Sequence, residues 1–352
     1  MIIGVCGLGH TGSGLVYDYL KEFSDVTIFP NDFELSISYL PGGLEDLEHA
    51  LNSPYRRYFV SQYAIRSFEQ LVDNCSKSSL RKKSSYEIAM NGRFKDISYS
   101  YIDSLTDLKW MGYDSLSVYC ASSDIDRVLA IIKRRILLSL EKYGIDNAYL
   151  RRNLSTYFNC AAHKDSFVSL TQDYISSLLT AAGLNLENTI VLNQPFSGND
   201  PANSMKFFRD SKCILVIRDP RDIYISIKKY YPYMKGSFIP ASDVNEFVKY
   251  YKSYMRYNKS ILSDPRCMVV SMEDCVLNYD NTFKQIDAFL GINKHVNRMK
   301  EFNPAISIGN VGVFIRDRQY EHDISIIETE LKEDLYDFSN YDVTTASKPF
   351  SK

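Results

Sequence analysis

The sequence predicts an α/β fold, with helices on both faces of a central parallel sheet and a large helical insertion between strands. Residues 1–29 have the pattern of a strand, a glycine-rich turn, a helix and a second strand. A right-handed crossover makes such strands parallel. Strand and helix patterns alternate again from about residue 189, while about 40–184 is mostly helical. We therefore predict one domain over 1–352, with its core at 1–39 and 187–352 and the insertion at about 40–186.

The first unit opens with an apolar run, MIIGVCGL, which predicts a buried strand ending near Leu8. A second strand is expected from Val26 to Phe29. The helix between them has one apolar face, made by Leu15, Val16, Tyr19, Leu20 and Phe23.

The second half of the chain supplies the remaining strands and helices of the core. Short apolar runs predict strands at Thr189–Asn193, Cys213–Ile217 and Cys267–Ser271. Helical patterns cover Asn203–Phe208, a segment ending near Tyr230, Val244–Leu262 and Asn281–Leu290. The last of these is expected to stop at Gly291, since glycine is a common helix terminator.

The composition excludes several classes of protein. The chain has 41 Lys and Arg against 43 Asp and Glu, a net charge of −2, which argues against a general nucleic-acid binder. Its seven cysteines form no CxxC pair, so we expect free thiols in a reducing compartment and no metal site. Because no apolar stretch is long enough to span a bilayer and the first segment lacks a basic leader, we expect a cytoplasmic protein without a membrane segment. A homo-oligomer is left open.

A glycine-rich turn joins the first strand to the first helix. Backbone N–H groups in such a turn can surround a phosphate. The candidate phosphate-binding residues are Gly9, His10, Thr11, Gly12, Ser13 and Gly14.

The same turn allows a second interpretation. It contains the dinucleotide spacing Gly7-x-Gly9-x-x-Gly12, and Asp32 lies 20 residues after Gly12, where an acid that binds ribose is expected. On this motif alone the dinucleotide interpretation stays open. The turn lacks the Gly-Lys-Ser/Thr ending of a P-loop, which argues against a magnesium-dependent NTPase.

The second motif is Arg218-Asp-Pro-Arg-Asp-Ile-Tyr-Ile-Ser226, directly after a buried strand. Ligands of open α/β sheets collect at the carboxyl ends of the strands, where Arg218 is expected. An arginine fork and the Ser226 hydroxyl suit a terminal phosphate monoester. The alternative is a structural arginine, paired with Asp222 or Glu273.

These motifs resemble those of PAPS-dependent sulfotransferases of the bacterial type. The arginine and the serine eight positions later resemble that family's 3′-phosphate motif, and the glycine-rich turn resembles its 5′-phosphosulfate loop. The stretch Val269-Val-Ser-Met-Glu-Asp274 with the later Phe289-Leu-Gly291, and Ser307-Ile-Gly-Asn-Val-Gly312, are also similar to segments of the family. The resemblance covers about 1–35 and 187–320.

The resemblance implies a P-loop-like, nucleotide-kinase-like fold that binds PAPS, transfers its sulfuryl group to an acceptor hydroxyl, and releases PAP without a metal. It implies that a late loop covers the nucleotide, with the candidate residues Gly309, Asn310, Val311 and Gly312. Two features depart from the family pattern. His10 stands where many members have lysine, and the late loop lacks the usual Arg-Lys pair.

The catalytic base is less well defined than the phosphate site. The family uses a histidine or a carboxylate, and in some members the carboxylate follows the second strand, where Asp32 and Glu34 lie. Glu34 is the first choice, because its neighbours Phe33 and Leu35 are expected to desolvate it and raise its pKa. Asp32 is the second choice and His163 the third, while His10 is expected to assist the leaving phosphate.

The acceptor is expected to be a saccharide of a capsule or surface glycan, or else a sterol, phenol or lipid. The helical insertion is expected to cover the cleft and select it. Two other functions stay open: an NAD(P)-dependent oxidoreductase, and an inactive nucleotide-binding protein.

Overall fold

The computed structural model describes residues 1–52, 58–78, 84–112, 114, 119, 123–145, 156–161, 165–230 and 239–344. Within these residues the chain is an α/β protein, as predicted. The strands are β1 (Ile2–Gly7), β2 (Val26–Ile28), β3 (Leu108–Gly112), β4 (Thr156–Cys160), β5 (Thr189–Asn193), β6 (Ser211–Ile217) and β7 (Cys267–Ser271).

Five strands form a parallel sheet in the order β2-β5-β1-β6-β7. The central strand β1 pairs with β5 on one side and with β6 on the other. Such strands are buried on both faces, which explains why their sequences are nearly continuous apolar runs.

Helices cover both faces of this sheet. Those before β5 are α1 (Gly14–Leu20), α2 (Leu44–Leu51), α3 (Tyr58–Ser76), α4 (Ser85–Ala89), α5 (Phe94–Leu105), α6 (Asp124–Lys142) and α7 (Phe167–Ala181). Those after β5 are α8 (Pro201–Met205), α9 (Pro220–Ile225), α10 (Val244–Tyr250), α11 (Met272–Leu277), α12 (Tyr279–Leu290), α13 (Pro304–Ser307), α14 (Val313–Arg316) and α15 (Glu321–Glu330).

Alternate side chains of β1 divide the core into two layers. Ile2 and Cys6 pack with residues of α2, α3, α5 and α7. Ile3 and Val5 face the other way and pack with residues of α1, α11 and α12. The insertion therefore supplies most of the helices on one face of the sheet, where Met205 of α8 also packs.

The described part of the insertion contains a small β-sheet in addition to the predicted helices. Strands β3 and β4 form a two-stranded antiparallel sheet, separate from the central one. Most of β3 is exposed, so its sequence has no apolar alternation that would predict a strand.

Several predicted boundaries are confirmed. Asp219 is the N-cap of α9, accepting a hydrogen bond from the Arg221 backbone, and Pro220 follows in the first turn. Helix α12 ends at Gly291, whose φ of +75° is the left-handed conformation that glycine adopts readily. In contrast, the helix predicted over Val244–Leu262 is interrupted at Arg256. After α10 a single π-helical turn covers Tyr251–Met255, and the backbone then becomes extended.

Two further features of the described residues bear on the sequence predictions. No helix in these ranges has the length and apolarity needed to cross a bilayer. The six cysteines that fall within them are free thiols.

Candidate functional site

The candidate site lies at the carboxyl edge of the sheet, between β1 and β6. After β1 the chain leads to β2, which lies on one side of β1, and after β6 it leads to β7, on the other side. Such a reversal opens a crevice at the strand ends, where ligands of open α/β sheets bind. The glycine-rich turn and Arg218 both extend from this point of the sheet.

The turn after β1 has the backbone conformation of an anion cradle. His10 and Gly12 have φ values of +68° and +80°, whereas Ser13 is in the right-handed helical region. Alternation of this kind turns successive N–H groups towards one side. Among the described residues, the amides of Gly12, Ser13 and Gly14 have no protein acceptor. They are available to an anion.

The turn is held by hydrogen bonds within itself and by a residue at the end of the neighbouring strand β5. The backbone N–H and the hydroxyl of Thr11 both donate to the Leu8 carbonyl, at 3.1 and 2.7 Å. Gln194, at the end of β5, accepts from the Gly7 N–H at 3.2 Å and donates to the Ser13 hydroxyl at 2.8 Å. Sequence reasoning did not select Gln194; its φ of +50° directly before a proline is the one local signal of a special role.

Arg218 connects this turn to the late loop. The guanidinium is buried and donates from Nη1 to the His10 carbonyl at 3.0 Å and from Nη2 to the Asn310 carbonyl at 2.6 Å. It forms neither of the ion pairs considered from the sequence, with Asp222 or with Glu273. Instead it holds together two loops that are 300 residues apart in the chain.

Two polar atoms near this point lack partners. The Nε of Arg218 and the hydroxyl of Ser226 are buried without a hydrogen bond. Ser226 is fully buried and follows α9 directly. Buried polar groups are almost always paired in folded proteins, so unpaired ones need an explanation, such as a ligand.

The late loop is held at its backbone by two further charged side chains. The carboxylate of Asp222 accepts from the N–H groups of Gly312 and Phe314, at 2.6 and 3.1 Å. Arg316 donates to the Val311 carbonyl at 3.0 Å and also to the Gly309 carbonyl. Through Arg218, the loop that contains Gly309, Asn310, Val311 and Gly312 is linked to the glycine-rich turn.

Two buried carboxylic acids, Asp222 and Glu273, are close enough to Arg218 to interact with its charge. Glu273 is fully buried, and one of its oxygens accepts from the Asp219 N–H at 2.9 Å while the other has no partner. Burial, with the nearby Asp219 charge, raises the pKa of Glu273 to about 8. Burial likewise raises the pKa of Asp222 to about 6, against the opposing charge of Arg218. At neutral pH the Glu273 carboxyl is therefore largely protonated.

A cavity of about 340 Å³ adjoins the turn and the end of β6. Thr11, Arg218 and Glu273 line its inner side, and Tyr257 and Leu262 belong to its outer wall. It combines aromatic and aliphatic surface with a few polar groups, the usual make-up of a site for a small organic molecule.

The proposed bases occupy different places. Asp32 is 62% exposed and forms an ion pair with Lys21 at 2.8 Å. Glu34 pairs through its backbone with Asn193, beside Gln194, and its side chain is exposed. The expected desolvation is absent, because Leu35 and Phe33 pack into or against the core instead of over the carboxylate. His163 lies outside the described residues.

His10 is half-buried in the turn. Burial, and then the charge of Arg218, hold the pKa of His10 below its usual value. Its imidazole is therefore neutral at physiological pH and does not supply the charge that lysine would bring.

The comparisons with known proteins add no family. No protein-family model matches the chain, and no curated protein matches it.

Proposed function

We propose that this protein is a PAPS-dependent sulfotransferase, which transfers a sulfuryl group from the nucleotide to an acceptor hydroxyl. The observation that carries the proposal is Arg218, which is buried at the switch point of the sheet, bridges the two loops, and has an unpartnered Nε. Arg218 and Ser226 are the residue pair on which the resemblance to the family's 3′-phosphate motif depends.

The residues present fit the nucleotide at both of its ends. The amides of Gly12, Ser13 and Gly14 suit the 5′-phosphosulfate, since they form a cradle without protein acceptors. Arg218 and Ser226 suit the 3′-phosphate, since each has a buried polar atom without a partner that a phosphate oxygen would satisfy. When bound, PAPS supplies the group that is transferred; the chain binds and orients it.

The order of strands in the sheet argues against the alternative function, an NAD(P)-dependent oxidoreductase. In the dehydrogenase arrangement the strand carrying the ribose-binding acid is the neighbour of the first strand. Here β5 lies between β1 and β2, so the end of β2 is two strand spacings, about 10 Å, from β1 instead of one, and Asp32 is about 5 Å farther away. Asp32 is also already paired with Lys21. This acid is poorly placed to serve a nucleotide held by the glycine-rich turn.

The cavity beside Thr11 and Arg218 adjoins both phosphate-binding elements, so we place part of the nucleotide there. The acceptor is then placed on the other side of the glycine-rich turn, where Glu34 lies beside the end of β5. A saccharide of a capsule or surface glycan is the first proposal, and a sterol, phenol or lipid the second. Glu34 is the proposed base, followed by Asp32 and then His163. An exposed Glu34 needs a bound acceptor to desolvate it.

The test is calorimetric titration with PAP and with AMP, which lacks the 3′-phosphate. The wild-type protein is expected to bind PAP at micromolar affinity or better and AMP more weakly. Arg218→Ala removes an arginine–phosphate contact of about 2 kcal/mol, so PAP affinity is expected to fall about 30-fold. AMP affinity is expected to fall less, because AMP loses only the support that Arg218 gives to the glycine-rich turn. The preference for PAP over AMP then disappears.

The control for this test is thermal unfolding of the variant, because Arg218 also holds two loops together. If Arg218→Ala does not fold, Ser226→Ala provides the same comparison without loss of a buried charge. Binding of NAD(H) in place of PAP would overturn the proposal and support the oxidoreductase. PAP binding without sulfuryl transfer across a broad acceptor panel would support the inactive nucleotide-binding protein.

A further inference from the structure

Helix α6 in the insertion presents an apolar stripe to solvent. Ile125, Val128, Leu129, Ile132 and Ile136 are between 39% and 73% exposed. At 3.6 residues per turn they fall within an arc of about 100°. Leu140 is the one side chain of this helix that is buried. A continuous exposed apolar surface of this kind marks an interaction site.

Charged side chains flank the stripe, and the basic ones outnumber the acidic ones. Helix α6 has five Lys and Arg residues against three Asp and Glu, a net charge of +2 in a chain whose total is −2. Lys133 projects about 40° beyond one edge of the stripe and Arg135 about 20° beyond the other. Long basic side chains at these positions can extend from an apolar layer to a negatively charged surface.

The spacing of the apolar residues argues against a coiled coil with a second copy. A seam that starts at Ile125 and follows the alternate spacing of three and four residues includes Arg135 and Ser139. A seam that starts at Leu129 also includes Ser139. The helix has 19 residues, fewer than the three or more heptads that a coiled coil needs.

We propose that α6 binds in the surface of an anionic lipid bilayer. Its apolar stripe enters the region between head groups and acyl chains, and its flanking basic residues contact anionic head groups. This use fits a helix that is amphipathic and basic but too polar to span a bilayer. The proposal does not depend on the nucleotide assignment.

The test is co-sedimentation of the full-length protein with two kinds of vesicle. One kind is phosphatidylcholine alone, and the other contains about one third phosphatidylglycerol. The wild-type protein is expected to partition to the anionic vesicles at least about tenfold more strongly, with binding that weakens as salt is added. Replacing one flanking basic residue, as in Arg135→Gln, is expected to weaken this binding about fivefold.

The decisive comparison is between two substitutions on the same helix. Ile132→Glu places a charge in the middle of the stripe, whereas Leu138→Glu makes the same change outside the arc, also at an exposed position. Ile132→Glu is expected to reduce partitioning about tenfold or more, and Leu138→Glu no more than about threefold. Because both side chains are exposed, both variants are expected to fold, which thermal unfolding checks.

Three outcomes would overturn the proposal. The first is no binding, or equal binding to both kinds of vesicle. The second is an equal loss of binding in Ile132→Glu and Leu138→Glu. The third is a wild-type dimer in analytical ultracentrifugation that Ile132→Glu dissociates, which would make a second copy of the chain the partner of the stripe.

Discussion

Replacing Ser226 with alanine is expected to stabilise the ligand-free protein and, at the same time, to weaken its binding of PAP. The hydroxyl is fully buried and has no hydrogen-bond partner. An unsatisfied buried polar group costs about 1–3 kcal/mol, and alanine removes that cost but leaves a small void. A net gain of about 1 kcal/mol in the free energy of unfolding follows, or about 2 °C in melting temperature for a chain of this size.

The effect on binding has the opposite sign. If Ser226 contacts the 3′-phosphate, the variant loses one hydrogen bond to a charged group, worth about 1.5–3 kcal/mol. The dissociation constant for PAP is then expected to rise about tenfold or more. Differential scanning calorimetry measures the first effect, and titration calorimetry with PAP measures the second.

Ser98→Ala is the matched control. Ser98 is equally buried, but its hydroxyl donates to the Phe94 carbonyl at 2.8 Å and also contacts the Tyr174 hydroxyl, away from the site. Its replacement is expected to lower the melting temperature and leave PAP affinity unchanged. The reasoning is refuted if Ser226→Ala behaves like Ser98→Ala in stability, or if it leaves PAP affinity intact.

Three more predictions concern Glu273 in the site, Glu22 outside it, and Gln194, which braces the glycine-rich turn. Between pH 4.5 and about 8 the folded protein keeps a proton on Glu273 that the unfolded chain loses. The free energy of unfolding therefore falls as pH rises, by up to about 1.4 kcal/mol per pH unit. Glu273→Gln should remove most of this fall, as measured by urea unfolding at pH 5 and pH 9. Glu22 is buried, and although burial alone would raise its pKa, hydrogen bonds from the Phe302 N–H, His295 and other backbone groups lower it. Glu22→Gln should therefore cost about 3 kcal/mol at pH 7, and this cost should shrink as pH falls through the lowered pKa. Gln194→Asn keeps an amide but is too short for both contacts, and should weaken PAP binding about tenfold in titration calorimetry with little change in melting temperature.

The strands of the core were predictable because they are short and buried on both faces. The bounds of β5 and β7 agree with their predicted ranges, since apolar runs and polar flanks coincide with the strand ends. The start of α9 was equally predictable, because Asp219 and Pro220 act through local contacts. Local chemistry determines these features, and it is visible in the sequence.

The β3–β4 sheet and the interruption of the predicted helix at Arg256 were not predictable in the same way. Trp110 and Met111 in β3 are 41% and 40% exposed, so no buried face produces the alternation that indicates a strand. The segment Val244–Leu262 has an apolar helical pattern throughout, yet Arg256 is extended and makes a bidentate ion pair with Asp334. A contact with a residue 78 positions away overrides the local preference there.

In the candidate site, the sequence indicated where Arg218 lies in the fold but not which contacts hold it. It placed Arg218 at the carboxyl end of a strand, where the structure has it. The hydrogen bonds of Arg218 to the His10 and Asn310 carbonyls were not predictable, because these residues lie 208 and 92 positions away from it in the sequence. Desolvation of Glu34 by its neighbours was a wrong expectation, since adjacency in sequence does not determine which way Phe33 and Leu35 point.

The late loop is held through its backbone. Arg218, Asp222 and Arg316 bind the loop through its carbonyl and N–H groups. Backbone contacts of this kind do not depend on which side chains the loop carries, except at Gly312, where a φ of +62° favours glycine. An Arg-Lys pair is therefore not needed to position this loop. Since His10 is also neutral, Arg218 is the fixed positive charge shared by the two loops, and nucleotide affinity should depend on it more than on any other side chain.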